Sequence, residues 1–544
     1  MRTDYIRIYK SVHTWTGILS GMALFIAFYA GALTVFKEPL TRWASPPVAV
    51  ERTALADTPA LIAATLAAHP EAAKGFTIHL DPAENMPARL SWDVRAPQAD
   101  DHDDTATRHY TARLDAEGRA QASELQPAPL AGFIDTLHRV VGLPFDNDPN
   151  RWVMGVIATL YALALFSGVV VLLPTLVKDF FALRVGRNLK RMWLDAHNVV
   201  GIVSLPFHIV MALTAAVFAF HDGIYDVQDH LVHGGQWSTA FQRPPPKAGN
   251  APPRDPAAML PPAELAARAR ALSPGFIPTG LQYQGVTGPR ATVRVWGKHT
   301  QAVLPRAVGG FAALDPYSGK VLSTDFMPGR QGTPGLFISS FFALHMAAFG
   351  GALVQWLYFL LGLAGAWLFY SGNLLWIESR RKRAAPQQRR DTRYLASATV
   401  GVCLGCICGI SLLLPASKWL HGHVDDLLGA LQAVYYAAFF GCIAWAFARG
   451  AARAAVHLLW LACACTLLAP ATTLLGWLLP ATGLWAHRSP ATLGVDGTAL
   501  ALALCLALMA RATARRMGDA VTDSVWSAAR GNGIASGNQL NQIN

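Results

Sequence analysis

Charge is what this chain has least of. Asp, Glu, Lys and Arg make up 15% of its 544 residues and hydrophobic residues 53%, where a soluble globular protein carries about 25% charged residues. A water-soluble class is excluded, because the apolar residues gather in runs that approach or exceed the ~20 residues needed to cross a bilayer. Cysteine is missing from both long hydrophilic stretches: all seven, at 403, 406, 408, 442, 463, 465 and 505, sit in apolar runs of the C-terminal third. No disulfide framework therefore staples the hydrophilic parts, and without C-x-x-C-H there is no covalent c-type haem attachment. "CLGCIC" (403–408) reads as small residues packing between membrane helices. No G-x-G-x-x-G follows a strand, which argues against a fused dinucleotide-binding domain. No nucleophile–base arrangement suggests a hydrolase. The first apolar run, residues 17–36, is longer than a signal-peptide core and no A-x-A follows closely, so it reads as a retained span.

What is present is a polytopic pattern. Eight spans are expected, at about 13–36, 152–174, 197–220, 350–376, 396–415, 427–447, 455–479 and 496–511. The net charge of +11 needs no nucleic acid. Lys178, Arg184, Arg187, Lys190 and Arg191 lie between spans two and three, and Arg380, Arg381, Lys382, Arg383, Arg389, Arg390 and Arg393 between four and five. With Arg2, Arg7 and Lys10, these fall on one side if both termini are cytoplasmic. The tail, 517–544, ends in the polar "GNGIASGNQLNQIN", which reads as disordered.

Two long hydrophilic segments then lie outside, 37–150 and 221–338, the second entered through the Pro-rich "RPPPKAGNAPPRDP" (243–256). Each reads as one amphipathic helix followed by strands. "PALIAATLAAHPEA" precedes "GFTIHL", "ARLSWDV" and "RHYTARLD"; "PAELAARARAL" precedes "GLQYQ", "ATVRVW" and "GGFAALDPYSGKVL". Such stretches predict two small α+β modules. The first 380 residues are thus a duplication: span 1–36, module, spans 151–220, module, span 339–385. Residues 395–516 add a four-helix bundle outside that plan. The expected class is a membrane all-α bundle of about eight spans carrying two small α+β modules.

Four histidines repeat with the duplication. "HTWTG" places His13 at the start of span one and "DAHNVVG" places His197 at span three. "LHRVVG" places His138 before span two and "LHMAAFGG" places His345 before span four. Gly17, Gly142 and Gly201 follow their histidines by four residues, and Gly350 by five. Residues i and i+4 share a helix face, so such a glycine leaves room for a flat ligand beside the imidazole. An isolated interfacial histidine is as a rule a polar anchor. Four at matching places point instead to bis-imidazole haem, a six-coordinate iron suited to electron transfer. Orientation pairs His13 with His197 near the cytoplasmic face and His138 with His345 near the outer face, giving two b-type haems. His208 is a fifth candidate, either a ligand in place of an outer histidine or a hydrogen-bonding neighbour of a haem propionate, beside the bland reading of an interhelical hydrogen bond. On a straight helix it lies about 16 Å beyond His197 on the same face. The outer pair requires a bend, which "GLPFDNDPN" (142–150) can supply.

At these residues the chain resembles the PepSY-associated transmembrane family, the iron-regulated membrane proteins that include bacterial siderophore reductases. "KSVHTWTG" entering "GALTVFKEPL", then "LHRVVG", "DAHNVVGIVSLPF", "LDPYSGKVL" and "LHMAAFGG" before "LLWIESRR" carry the likeness, over residues 5–385. The resemblance implies two periplasmic PepSY-like modules on an inner-membrane haem core that passes electrons from the cytoplasmic side to ferric siderophore or another iron chelate. His13, His138, His197 and His345 would be axial ligands of two haem b. Reduction to Fe(II) weakens binding to hard oxygen ligands and releases the iron. The donor would be a separate cytoplasmic reductase or quinol. Two alternatives stand beside it: a non-enzymatic PepSY-type membrane-anchored binding protein, and an accessory permease using the C-terminal spans. Other clusters read as bland. "FHDGIYDVQDHLVHGG" (220–235) is a solvated amphipathic helix, and "DDHDD" (100–104) and "HGH" (421–423) are loops. Trp152, Trp376 and Trp419 are interface anchors.

Overall fold

The computed structural model describes residues 3–47, 53–80, 86, 88–95, 107–181, 184, 188–232, 234, 253–304, 309–382, 388–520 and 524–527. "DDHDD", His233, most of the Pro-rich linker and the polar tail lie outside these. The first half of the duplication runs α1 (Thr3–Thr34), α2 (Lys37–Ala44), α3 (Thr58–Ala68), strands β1 (Gly75–His79), β2 (Leu90–Arg95), β3 (Thr107–Leu114) and β4 (Ala120–Leu125), then α4 (Leu130–Arg139) and α5 (Asp148–Leu172). A short α6 (Leu176–Phe180) follows. The second half runs α7 (Leu189–Val203), α8 (Leu205–Ala219), α9 (His221–Val232), α10 (Pro262–Leu272), β5 (Phe276–Gln284), β6 (Thr292–His299), β7 (Gly310–Leu314), β8 (Val321–Ser323), α11 (Thr333–Met346) and α12 (Gly351–Ser379). The added bundle is α13 (Arg390–Trp419), α14 (Leu427–Arg449), α15 (Ala451–Leu478) and α16 (Pro490–Asp519).

Among the described residues, seven helices are long and apolar enough to cross a membrane, and α7 with α8 forms a further segment bent by 71°. The chain is a multi-pass membrane protein. The bend replaces the straight span expected over 197–220. Pro206, second in α8, has no N–H to donate and crowds the carbonyl four residues back. The straight-helix relation between His197 and His208 therefore does not hold.

The two hydrophilic halves are not separate modules. Their strands form one eight-stranded antiparallel sheet in the order β4-β3-β2-β1-β5-β6-β7-β8. β1 and β5 join the halves, pairing Phe76 with Tyr283 and Ile78 with Leu281. Those four side chains share one buried core with Leu61 and Ile62 of α3 and Leu265 and Ala269 of α10. Pairing the two inner edges leaves β4 and β8 as the free edges and buries a continuous apolar face. The turn 315–318 between β7 and β8 is held by Asp315, whose Oδ1 accepts from the N–H of Tyr317 and of Ser318, each at 2.9 Å. Its Oδ2 accepts from Arg254 at 2.9 Å. Partial burial pushes that carboxyl up, but these donors hold it at about 2.

Below the sheet, α1 is the centre of the membrane core, packed against α4, α5, α12 and α13. Small residues bring α1 and α12 close: a Cβ on Gly362 would stand 2.9 Å from the Cβ of Ala32. The expected bend before α5 is present. α4 stops at Arg139, and α5 restarts at Asp148 with the Asn147 side chain accepting from the Asn150 N–H at 3.0 Å.

Candidate functional site: two histidine pairs

Each repeated histidine meets one other. His13 on α1 and His197 on α7 have ring centroids 6.3 Å apart with planes at 73°. His138 on α4 and His345 on α11 are 6.2 Å apart at 32°. Two imidazoles bound to one metal at about 2 Å bring their centroids to about 6 Å, so both pairs have the spacing of shared ligation.

In all four rings Nδ1 is held by a hydrogen bond. His13 donates to the Ala164 carbonyl and His138 to the Ala27 carbonyl, each at 2.8 Å. His197 Nδ1 lies 3.0 Å from Ser371 Oγ and His345 Nδ1 lies 2.7 Å from Thr214 Oγ1. Both hydroxyls spend their own protons on helix carbonyls, Ser371 on Leu368 at 2.9 Å and Thr214 on Val210 at 2.6 Å. They are therefore acceptors toward the rings. A proton fixed on Nδ1 leaves Nε2 as the nitrogen with a lone pair for a metal.

The partners of three histidines come from one short pattern that the sequence reading missed. "AFYAG" (27–31), "ALFSG" (164–168) and "LFYSG" (368–372) each end in an aromatic, a small residue and a glycine. The first residue offers its carbonyl, directly or through the serine, and the glycine makes room for the ring. A Cβ on Gly31 would stand 2.7 Å from His138 Nδ1, and one on Gly168 2.9 Å from His13 Nδ1. One on Gly372 would stand 3.5 Å from His197 Cε1. The signal was a span-interior A/L-x-aromatic-small-Gly repeated once per partner helix. The glycines that follow the histidines in sequence act differently from the expectation. Gly17 meets nothing within 4 Å and Gly201 only Leu368 at 3.8 Å, so these two do leave space. Gly142 (φ +89°) and Gly350 (φ +65°) serve instead to turn the chain between helices.

A cavity of 1380 Å³ has His138 and His345 in its wall. Leu24, Phe28, Met211 and Phe342 line its membrane part, and Lys37, Arg42, Arg139, Arg151 and Lys298 its outer part, where β1 and β5 reach it through His79 and Thr279. Lys37 bonds Asp135 at 2.8 Å, and Arg139 and Arg151 share Asp146 at 2.5 and 2.7 Å. Burial pushes the Asp135 carboxyl up, but Arg139, Lys37 and His138 together hold it below the ordinary carboxylate range. The cavity is apolar within, and at its mouth those five cations outnumber the lining carboxylates Glu38, which pairs with Arg42, and Asp135, which suits a flat apolar ligand that carries carboxylates at one edge. Among the described residues no three His, Cys, Asp or Glu side chains gather to hold a bare ion. Paired imidazoles supply two donors, which fits an iron whose other positions belong to a porphyrin.

The profile of the PepSY-associated TM region matches residues 10–379. The chain belongs to the PepSY-associated transmembrane family. No curated protein matches it. The match ends with α12, so the family's region contains all four paired histidines and stops before the added bundle.

Within this PepSY-associated core, His208 joins neither pair. It is buried in α8 among Phe28, Phe207, Phe369 and Tyr161. The Tyr161 hydroxyl lies 2.5 Å from its Nδ1, and its Nε2 has no hydrogen-bond partner. Among the described residues no second imidazole stacks on or faces it. On α9, Asp222, Asp226 and His230 are all exposed, as on a solvated face, and only Asp229 is buried. His421 packs edge-on against Trp485, while His423 Nδ1 turns to the His421 carbonyl. Cys403, Cys406 and Cys408 are fully buried between helices, as small packing residues are.

Proposed function

We propose that this protein is a di-haem b ferric reductase of the inner membrane. It would take electrons from a cytoplasmic reductase or a quinol and deliver them to a ferric siderophore or similar iron chelate on the outer side. The observation that carries this reading is the doubled histidine pair, each member presenting Nε2 with Nδ1 already committed. His13 and His197 would hold one haem near the basic loops, and His138 and His345 the other beneath the sheet. A bis-imidazole haem supplies one-electron transfer without an open position for oxygen.

The chain's own residues do the rest. Ala27, Ala164, Ser371 and Thr214 fix the tautomer and orientation of the four rings, which sets ligand basicity. Gly31 and Gly168 make room for the His138 and His13 rings, and Gly17 leaves open space one turn beyond His13. The cationic mouth of the cavity, from Lys37 to Lys298, attracts carboxylates and anionic chelates. Each ferric ion takes one electron, and Fe(II) leaves hard oxygen donors more readily than Fe(III). A two-electron quinol would therefore serve two ferric chelates and release two protons.

Proteoliposomes with reductant enclosed and ferric chelate outside test the reading. Reduction, followed by a ferrous-specific chromophore, should require the protein and fall to background in His13→Ala and His138→Ala. Equal rates in these variants would refute it and favour a binding role for the outer sheet.

A further inference from the structure

The bundle α13–α16 lies outside the family region, yet it grips the helix that carries His138. α4 is amphipathic: Leu130, Phe133, Ile134 and Leu137 recur at i, i+3, i+4 and i+7 and are all buried. They share one apolar cluster with Cys406, Ile410 and Leu413 of α13 and with Leu431 and Tyr435 of α14. Phe133 meets Tyr435 edge-on at 5.7 Å. The opposite face of α4 turns Asp135, His138 and Arg139 into the cavity.

The end of α4 is held more tightly still. Val141 has φ +51° and Gly142 φ +89°, and a β-branched residue in the left-handed region is strained. Such a conformation persists only where the surroundings impose it. α14 bonds directly to this turn: Tyr436 Oη donates to the Gly142 carbonyl at 2.9 Å and Gln432 Nε2 to the Pro144 carbonyl at 3.1 Å. The chain entering α4 is also pinned. The Ala128 N–H donates to Ser45 Oγ at 3.1 Å, and His487 Nε2 lies 2.8 Å from the Ser45 carbonyl. Nearby, Trp43 donates to Asp496 at 3.0 Å under the Lys418 ammonium, 3.7 Å from its ring.

We infer that the C-terminal bundle is a positioning clamp. It fixes α4 against α1 so that His138 reaches the Ala27 carbonyl and faces His345. Tyr436 and Gln432 are positioning residues that act through the 140–144 turn and touch no ligand. The clamp itself is a statement about the protein; its effect on the outer haem rests on the reading above.

Hydrogen–deuterium exchange on the full-length protein in nanodiscs separates the two. In the double variant Tyr436→Phe/Gln432→Leu, exchange over 130–144 should rise about tenfold while 333–348 is unchanged. Unchanged exchange over 130–144, or an equal rise in both segments, overturns the clamp. In the same samples the absorbance and redox titration of the outer haem should shift while the inner one keeps its own, and reintroducing Tyr436 alone should restore part of the difference. Wild-type protein without haem would sink the haem reading, and the exchange result would still decide the clamp.

Discussion

α4 and α11 hold equivalent places in the duplication and carry the two outer histidines, yet they live in different surroundings. Both end in the same way. A non-glycine residue takes a left-handed conformation, Val141 or Ala347 at φ +51°, and the next N–H reaches back five residues, from Gly142 to Leu137 and from Ala348 to Ala343. The apolar face of α4 is buried by the added bundle. α11 packs on α8 and leaves Phe337 74% exposed and Leu336 and Ile338 nearly half exposed, with Phe337 and Ile338 in the cavity wall. A duplicated core thus has one outer histidine on a helix whose apolar face the added bundle buries and one on a helix that leaves apolar side chains exposed.

Breaking the pairs should have the largest effect. His138→Ala or His345→Ala should remove the outer haem alone, and His13→Ala or His197→Ala the inner one, each lowering haem per chain by one. Quantified haem and optical spectra of the purified variants check this. Next come the glycines that seat the rings. Gly31→Val places carbon within contact of His138 and should abolish most outer haem binding, while Gly168→Val does the same for the inner site. Loss of the opposite haem in either variant would break the assignment.

Packing sharpens the comparison directly. Phe133→Ala on α4 empties a buried site and should cost about 3–5 kcal/mol, whereas Phe337→Ala on α11 should stay within about 0.5 kcal/mol. Equal shifts in unfolding midpoint would erase the distinction between the helices. Ser371→Ala and Thr214→Val remove a hydroxyl behind one ring each and should weaken that haem by roughly 10–100-fold, read by competition with a haem acceptor. The smallest effect is expected in the sheet. The Asp315 carboxyl is depressed on folding, so its stabilisation is present above about pH 4 and is lost as pH falls toward about 2. Asp315→Asn should lower the melting temperature slightly at pH 7 and flatten its fall across that window.

Much of this was legible in the sequence where the signal was local. The four histidines stood out because duplication repeats them, and orientation by Lys and Arg paired them as the structure does. The bend before α5 could be read from Pro144, Asp146 and Pro149. Long-range pairing could not be read. β1 meets β5 across some two hundred residues, and β4, "AQASEL", is a polar, largely exposed edge strand without apolar alternation. The break between α7 and α8 rested on Pro206, which the apolar run around it masked. The hydrogen bonds of the outer site were hidden for the same reason: Tyr436 and Gly142 are 294 residues apart. The supporting "AFYAG", "ALFSG" and "LFYSG" segments were visible, but inside spans an aromatic–small–Gly ending looks like ordinary helix packing.

Haem ligation by the two histidine pairs is tested most directly by reduced-minus-oxidised spectra with haem quantification on protein expressed with ample haem. Two b-type haems per chain are expected, six-coordinate in both oxidation states, falling to one in His138→Ala and in His13→Ala and to none in the double variant. A chain that binds no haem, or keeps both in the double variant, would contradict it.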